Sequence, residues 1–139
     1  MSRYYDDKGN IRKELLSDEA IALAESFVNP QRGEKELNSS QLRRFYGEFK
    51  SIEKKLEFKS RSDKEENAFL SILPLIKMVR SKVAYACPAP PGKPKIPGSF
   101  AKWLSDNVIA IESVKDFKTF LLYFEAVVGF CYGVGMKDS

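Results

Sequence analysis

Leu42, Phe45, Tyr46, Phe49, Ile52 and Leu56 recur at steps of 3, 1, 3, 3 and 4. That spacing puts all six on one face of an α-helix, whereas a strand would divide them between two faces. The same period governs the other apolar segments, and none alternates as a half-buried strand does. The chain therefore reads as all-α, a compact bundle of about five helices in one domain over residues 1–139. Short connections favour antiparallel neighbours. A chain of 139 residues can bury one core without disulfides or metals.

Capping and breaking residues divide the chain. Residues 1–16 are polar and read as a flexible leader. Ser17 is placed to cap a first helix, with Asp18 and Glu19 favourable toward its dipole. Ile21, Ala24, Phe27 and Val28 are its apolar residues, and Asn29-Pro30 stops it. Residues 31–38 form a loop. Ser39 or Ser40 caps the second helix, and residues 57–65 turn the chain. Phe69, Ile72, Leu73, Ile76, Val79 and Val83 face inward in the third, where Pro74 predicts a kink or a fresh start.

Five prolines and two glycines within residues 87–98 exclude helix there and predict an extended, semi-rigid Pro-rich connector. Such a segment serves as a plain interhelical linker or, as a second reading, a PxxP-type ligand. Beyond it, Ser99 opens a helix with Phe100, Trp103, Leu104, Val108 and Ile111 inward. Ser113 and Asp116 resemble a capping box for the last helix, whose stripe is Phe117, Phe120, Leu121, Phe124, Val128 and Cys131. Leu122, Tyr123, Val127 and Phe130 lie outside that stripe, so this helix is apolar on nearly every side. It is either central in the bundle or covered by a partner.

The composition removes whole classes of chemistry. With no histidine, Ser-His-Asp and Cys-His nucleophiles, histidine general bases and His-ligated metals are excluded. Cys87 and Cys131 are too few for a zinc site and read as free thiols. No phosphate-cradling glycine motif or EF-hand loop is present, so neither catalytic residues, a metal nor a cofactor is expected. No apolar run approaches the roughly 20 residues a bilayer requires. The charged N-terminal stretch lacks the apolar core of a signal peptide, and the expected location is cytoplasmic.

The net charge of +4 is unevenly spread. Residues 1–38 carry a net −2, residues 39–98 a net +7 and residues 99–139 a net −1. A concentrated basic excess suits a polyanion-binding face, because neutralised phosphates release condensed counterions. It also suits a merely solvated surface. Arg43, Lys50 and Lys54 recur at steps of 7 and 4 on one outward face beside Gly47, with Arg44 and Lys55 flanking. Lys77, Arg80, Ser81 and Lys82 crowd the outer side of the third helix, and Lys93 and Lys95 make the connector basic.

Three segments carry a family resemblance. SSQLRRFYGEF opens a helix, IKMVRSKVAYA ends another, and DFKTFLLYFEAVVGF fills the last. Their order and content over residues 39–134 resemble the small helical subunit of type III-A CRISPR effector complexes. The resemblance implies a non-catalytic filament subunit, stacking in several copies along a guide RNA–target RNA assembly. Its implied partners are target single-stranded RNA, copies of itself, the backbone subunits and a large polymerase-like subunit. The family's basic positions fall by motif on Arg43, Arg44, Lys77, Arg80 and Lys82. Where the family carries an arginine after the Tyr-Ala stretch, this chain has Cys87-Pro88-Ala89-Pro90-Pro91, so that contact does not carry over.

The RNA-binding residues expected are thus Arg43, Arg44, Lys50, Lys54, Lys77, Arg80 and Lys82, acting on phosphates while guide pairing supplies sequence recognition. Arg43 and Arg44 open their helix near backbone N–H groups that favour anions. Tyr85 is a candidate for base stacking, and Tyr46 another that also belongs to the core stripe. Two other readings stand beside this one. A protein–protein adaptor would use the over-apolar last helix and the connector. A carboxylate enzyme would rest on Glu125, the one acid deep in an apolar helix.

Overall fold

The computed structural model describes residues 3–139, and Met1 and Ser2 of the leader lie outside them. Five helices follow in order among the described residues: α1 (Asp18–Val28), α2 (Ser39–Lys59), α3 (Glu65–Ala86), α4 (Gly98–Ala110) and α5 (Val114–Gly133). One isolated bridge, Tyr5 to Ile11, is the sole β pairing there. The all-α bundle expected from the period is the fold observed.

α5 is packed over most of its circumference and keeps one exposed stripe through Lys115, Lys118, Leu122, Glu125 and Gly129. It packs against α1, α2 and α3, while α3 also lies between α2 and α4. Tyr123 and Val127, outside its sequence stripe, are buried together with Phe117, Phe120, Leu121, Phe124 and Cys131. Leu122 remains exposed. Burial pushes the Cys131 thiol up to about 12, because a thiolate is costly among apolar neighbours. Both cysteines are free. Ser113 caps α5 as expected, its Oγ accepting from the Asp116 N–H at 3.1 Å. The return bond is shifted by one residue, since Asp116 Oδ2 accepts from the Glu112 N–H.

Several local expectations are corrected. Ser17 does not cap α1 with its side chain, and its hydroxyl donates to the Lys13 carbonyl at 2.6 Å. Ala20, not Ile21, faces the core of α1, because two alanines let this helix lie flat against α5. Asn38, rather than either serine, caps α2 by accepting from the Gln41 N–H at 2.9 Å. α3 passes through Pro74 as one helix, so no fresh start occurs there. Pro74 removes the bond to the Leu70 carbonyl, and both residues sit on the exposed face, where that loss is tolerated.

The leader and the connector are more ordered than their composition suggests. Residues 3–16 fold back on the bundle, with Tyr4 and Leu15 fully buried. The Tyr4 hydroxyl donates to Asn107 Oδ1 inside the core, and Asn107 Nδ2 donates to the Trp103 carbonyl at 2.8 Å. The turn at residues 6–9 closes through Gly9, whose φ of +83° favours glycine, and Lys115 Nζ donates to the Gly9 carbonyl. The Pro-rich segment turns back rather than extending. The Lys95 N–H reaches the Ala86 carbonyl at 2.7 Å, and Ile96 is completely buried.

Two measurements check this packing. Tyr4→Phe leaves a buried amide oxygen unpaired and should cost about 1–3 kcal/mol in urea unfolding. Burial also raises the Tyr4, Tyr123 and Cys131 pKa values, so the folded state holds these protons longer than the unfolded chain does. This stabilisation is complete below the ordinary thiol value of 9.0 and declines as pH rises above it. A midpoint in urea that is level from pH 7 to about 9 and falls above that is the expected profile.

Candidate nucleic-acid interface

Because α2 and α3 give their apolar stripes to the core, their polar faces turn outward, and the basic residues lie there. They do not form one sheet of charge. Arg43 is exposed, and its Nε donates to the Tyr132 hydroxyl at the end of α5, 3.0 Å away. Lys50 pairs with Glu53 at 2.7 Å and lies 6.0 Å from the centroid of the Tyr46 ring. The Glu53 carboxylate, ahead of smaller effects, holds the Lys50 pKa above the usual lysine value. Lys54 is exposed.

Lys77 has a different task from the one its sequence position suggested. Its ammonium donates to the carbonyls of Val108, Ile109 and Ile111 at 2.8, 3.1 and 2.7 Å, and lies 3.5 Å from Glu112. These carbonyls end α4, where helix acceptors run out of backbone donors, and that of Val108 accepts from the Ile111 N–H as well, at 3.3 Å. A cation there satisfies them and complements the negative end of the helix dipole. The lysine is thus engaged in the fold. Arg80, about one turn further along α3, borders a shallow groove toward α4, beside Cys87, Lys102 and Ser105.

Arg44 and Lys82 are brought together between α2 and α3. They line a groove of about 340 Å³ with Phe45, Glu48, Ser81, Tyr85 and Ala86. Lys82 bridges the two helices through a 2.7 Å ion pair with Glu48. Both partners are partly exposed, so water weakens the pair and leaves the ammonium exchangeable. The Arg44 guanidinium makes no ion pair or hydrogen bond among the described residues. Tyr85 is 74% exposed, and Lys95 Nζ lies 4.9 Å from its ring centroid. Lys95 and Glu48 were not among the expected site residues, since nothing in the sequence period shows that the connector folds back over Tyr85. Tyr46 is half-buried with its ring 5.3 Å from that of Phe124, as its place in the core stripe implied.

The start of α2 differs from the expected anion site. The Ser39 and Ser40 N–H groups donate to the carbonyls of Lys137 and Asp138, and the Gln41 N–H is taken by Asn38. The chain's own C-terminal residues fill that position. Glu125, singled out as a buried acid, is exposed on α5. Among the described residues no cluster of three or more potential ligands is poised to hold a metal. No helix there is long and apolar enough to cross a membrane.

A family model described as Csm2 Type III-A matches residues 12–132, from before α1 almost to the end of α5. The chain belongs to this family. It is therefore a small subunit of a type III-A CRISPR effector complex. The Csm2 match begins well before residue 39, where the sequence resemblance starts, and so takes in α1. No curated protein and no solved structure matches the chain.

The division of the basic residues is testable by stability alone. Lys77→Met leaves three helix-ending carbonyls without their cation and should lower unfolding free energy by about 1–3 kcal/mol. Arg44→Ala removes an unpartnered surface group and should stay within about 0.5 kcal/mol. Chemical denaturation of the two variants beside the parent chain separates them.

Proposed function

We propose that this Csm2-family chain is a non-catalytic subunit that stacks in several copies along the guide RNA–target RNA assembly. It holds the RNA backbone through the exposed basic residues of α2 and α3, and it acts in the cytoplasm. The observation that supports this reading most is the unpartnered Arg44 guanidinium beside the exchangeable Lys82 ammonium. Guanidinium matches phosphate through a two-pronged fork, and lysine adds a point charge. Arg43, Lys50, Lys54 and Arg80 extend the positive surface, whereas Lys77 belongs to the fold and leaves the proposed contact set. Sequence recognition is left to base pairing with the guide.

A second reading rests on another cavity, of about 700 Å³, between the starts of α3 and α5. Ile11, Phe69, Leu70, Val114 and Leu122 give it an apolar lining, and Leu70 and Leu122 are exposed. Such a surface favours protein contact. The two readings are compatible, because a filament subunit touches protein as well as RNA.

The RNA reading makes a salt-dependent prediction. On single-stranded RNA, each phosphate contact contributes roughly 0.7 to the slope of log affinity against log salt. Replacing both Arg44 and Lys82 by alanine should flatten that slope by about 1.4 and weaken unrelated sequences alike. Fluorescence anisotropy across a salt series reads both quantities. An unchanged slope, or a loss confined to one sequence, counts against backbone binding.

A further inference from the structure

We infer that the groove between α2 and α3 is a nucleotide subsite, in which one RNA base stacks on the Tyr85 ring while the adjoining phosphate rests on Arg44 and Lys82. This rests on the RNA-binding reading above and adds a base contact to it. An exposed tyrosine is ordinary by itself. Tyr85 differs because two features fix its surroundings. Lys95 lies over the ring at 4.9 Å, and the Lys95 N–H is bonded to the carbonyl of Ala86, the residue after Tyr85. A cation over the ring restrains the ring's motion, which lowers the ordering cost of a stacked ligand.

The rest of the groove suits a nucleotide. Phe45 and Ala86 are buried and give it an apolar floor, while Arg44, Glu48, Ser81 and Lys82 form a polar rim. A space of about 340 Å³ lies at the small end of ligand-site volumes. Arg44 and Lys82 outweigh Glu48, and Lys95 stands beside them, so a phosphate-bearing ligand meets complementary charge. The larger cavity has the opposite balance. Glu65, Glu66 and Glu112 line it with Lys115 and Lys118, and Lys118 is spent on Glu65 at 2.7 Å. Lys115 is directed to the Gly9 carbonyl. A phosphate is therefore favoured in the α2–α3 groove and disfavoured in the other.

Stacking on an aromatic face tolerates every base, so the subsite should not select sequence. The test compares the full chain with Tyr85→Ala, Tyr85→Phe and the Arg44→Ala/Lys82→Ala pair. Anisotropy is measured on a single-stranded RNA and on an abasic phosphodiester strand of equal length. Tyr85→Ala is expected to bind RNA roughly tenfold more weakly, with the salt slope and abasic binding unchanged. Tyr85→Phe should bind as the parent does, and the paired variant should weaken on both strands. Parent-like RNA binding by Tyr85→Ala overturns the subsite and leaves backbone binding standing. Equal losses on both strands assign Tyr85 a structural role and also overturn it. No binding of either strand by the parent chain overturns the RNA reading and the subsite together. A phosphopeptide of matched charge that binds with the same dependence on Tyr85 reassigns the groove to a protein ligand.

Discussion

The structure depends on α5, whose apolar residues pack against α1, α2 and α3 while Lys118, Leu122, Glu125 and Gly129 leave one stripe of the helix exposed. Its rings reach α2, α3 and α4. Phe120 and Phe124 lie 4.9 and 5.9 Å from Phe49 of α2, Phe124 lies 5.3 Å from Trp103 of α4, and Phe117 lies 6.5 Å from Phe69 of α3. Mostly edge-on, such pairs are worth about 0.5–1.5 kcal/mol each beyond the area they bury. α2 and α3 give only their apolar stripes to the core they share with α5. Their other faces must be solvated, and there Arg44 and Lys82 meet across one groove. The core arrangement thus determines where the charged surface forms.

The helices were legible in the sequence because burial and period coincide. Leu42, Phe45, Phe49, Ile52 and Leu56 are all buried as their spacing requires. What escaped the sequence depends on contacts between distant residues. No local pattern shows that Tyr4 hydrogen-bonds Asn107, or that residues 137 and 138 supply the acceptors for the start of α2. Pro74 was read for the bond it removes, but the consequence depends on which face loses that bond. Ile21 and Ala20 are adjacent, and only the close approach of α1 to α5 decides between them.

The charged residues show the same limit more sharply. In sequence, Lys77, Arg80 and Lys82 look like one cluster. In space they serve three different places: Lys77 ends α4, Arg80 borders the α3–α4 groove, and Lys82 bridges to α2. At about 100° per residue, Lys82 is rotated by roughly 140° from Lys77 and roughly 200° from Arg80, so a run of cations is not a patch. Membership of the Csm2 family makes the chain a small subunit of a type III-A complex. The opposite charge balance of these two cavities gives the proposed division of labour a physical basis, with phosphate at α2–α3 and protein at the apolar cavity between α3 and α5.

Lysine-reactivity footprinting of the assembled effector complex, with and without target RNA, tests the central claim most directly. The account predicts that target RNA protects Lys82 and Lys95 while leaving Lys115 and Lys118, at the apolar cavity, unchanged. Unaltered reactivity of Lys82 and Lys95 in a complex that demonstrably holds its target would contradict the assignment of the α2–α3 face to RNA.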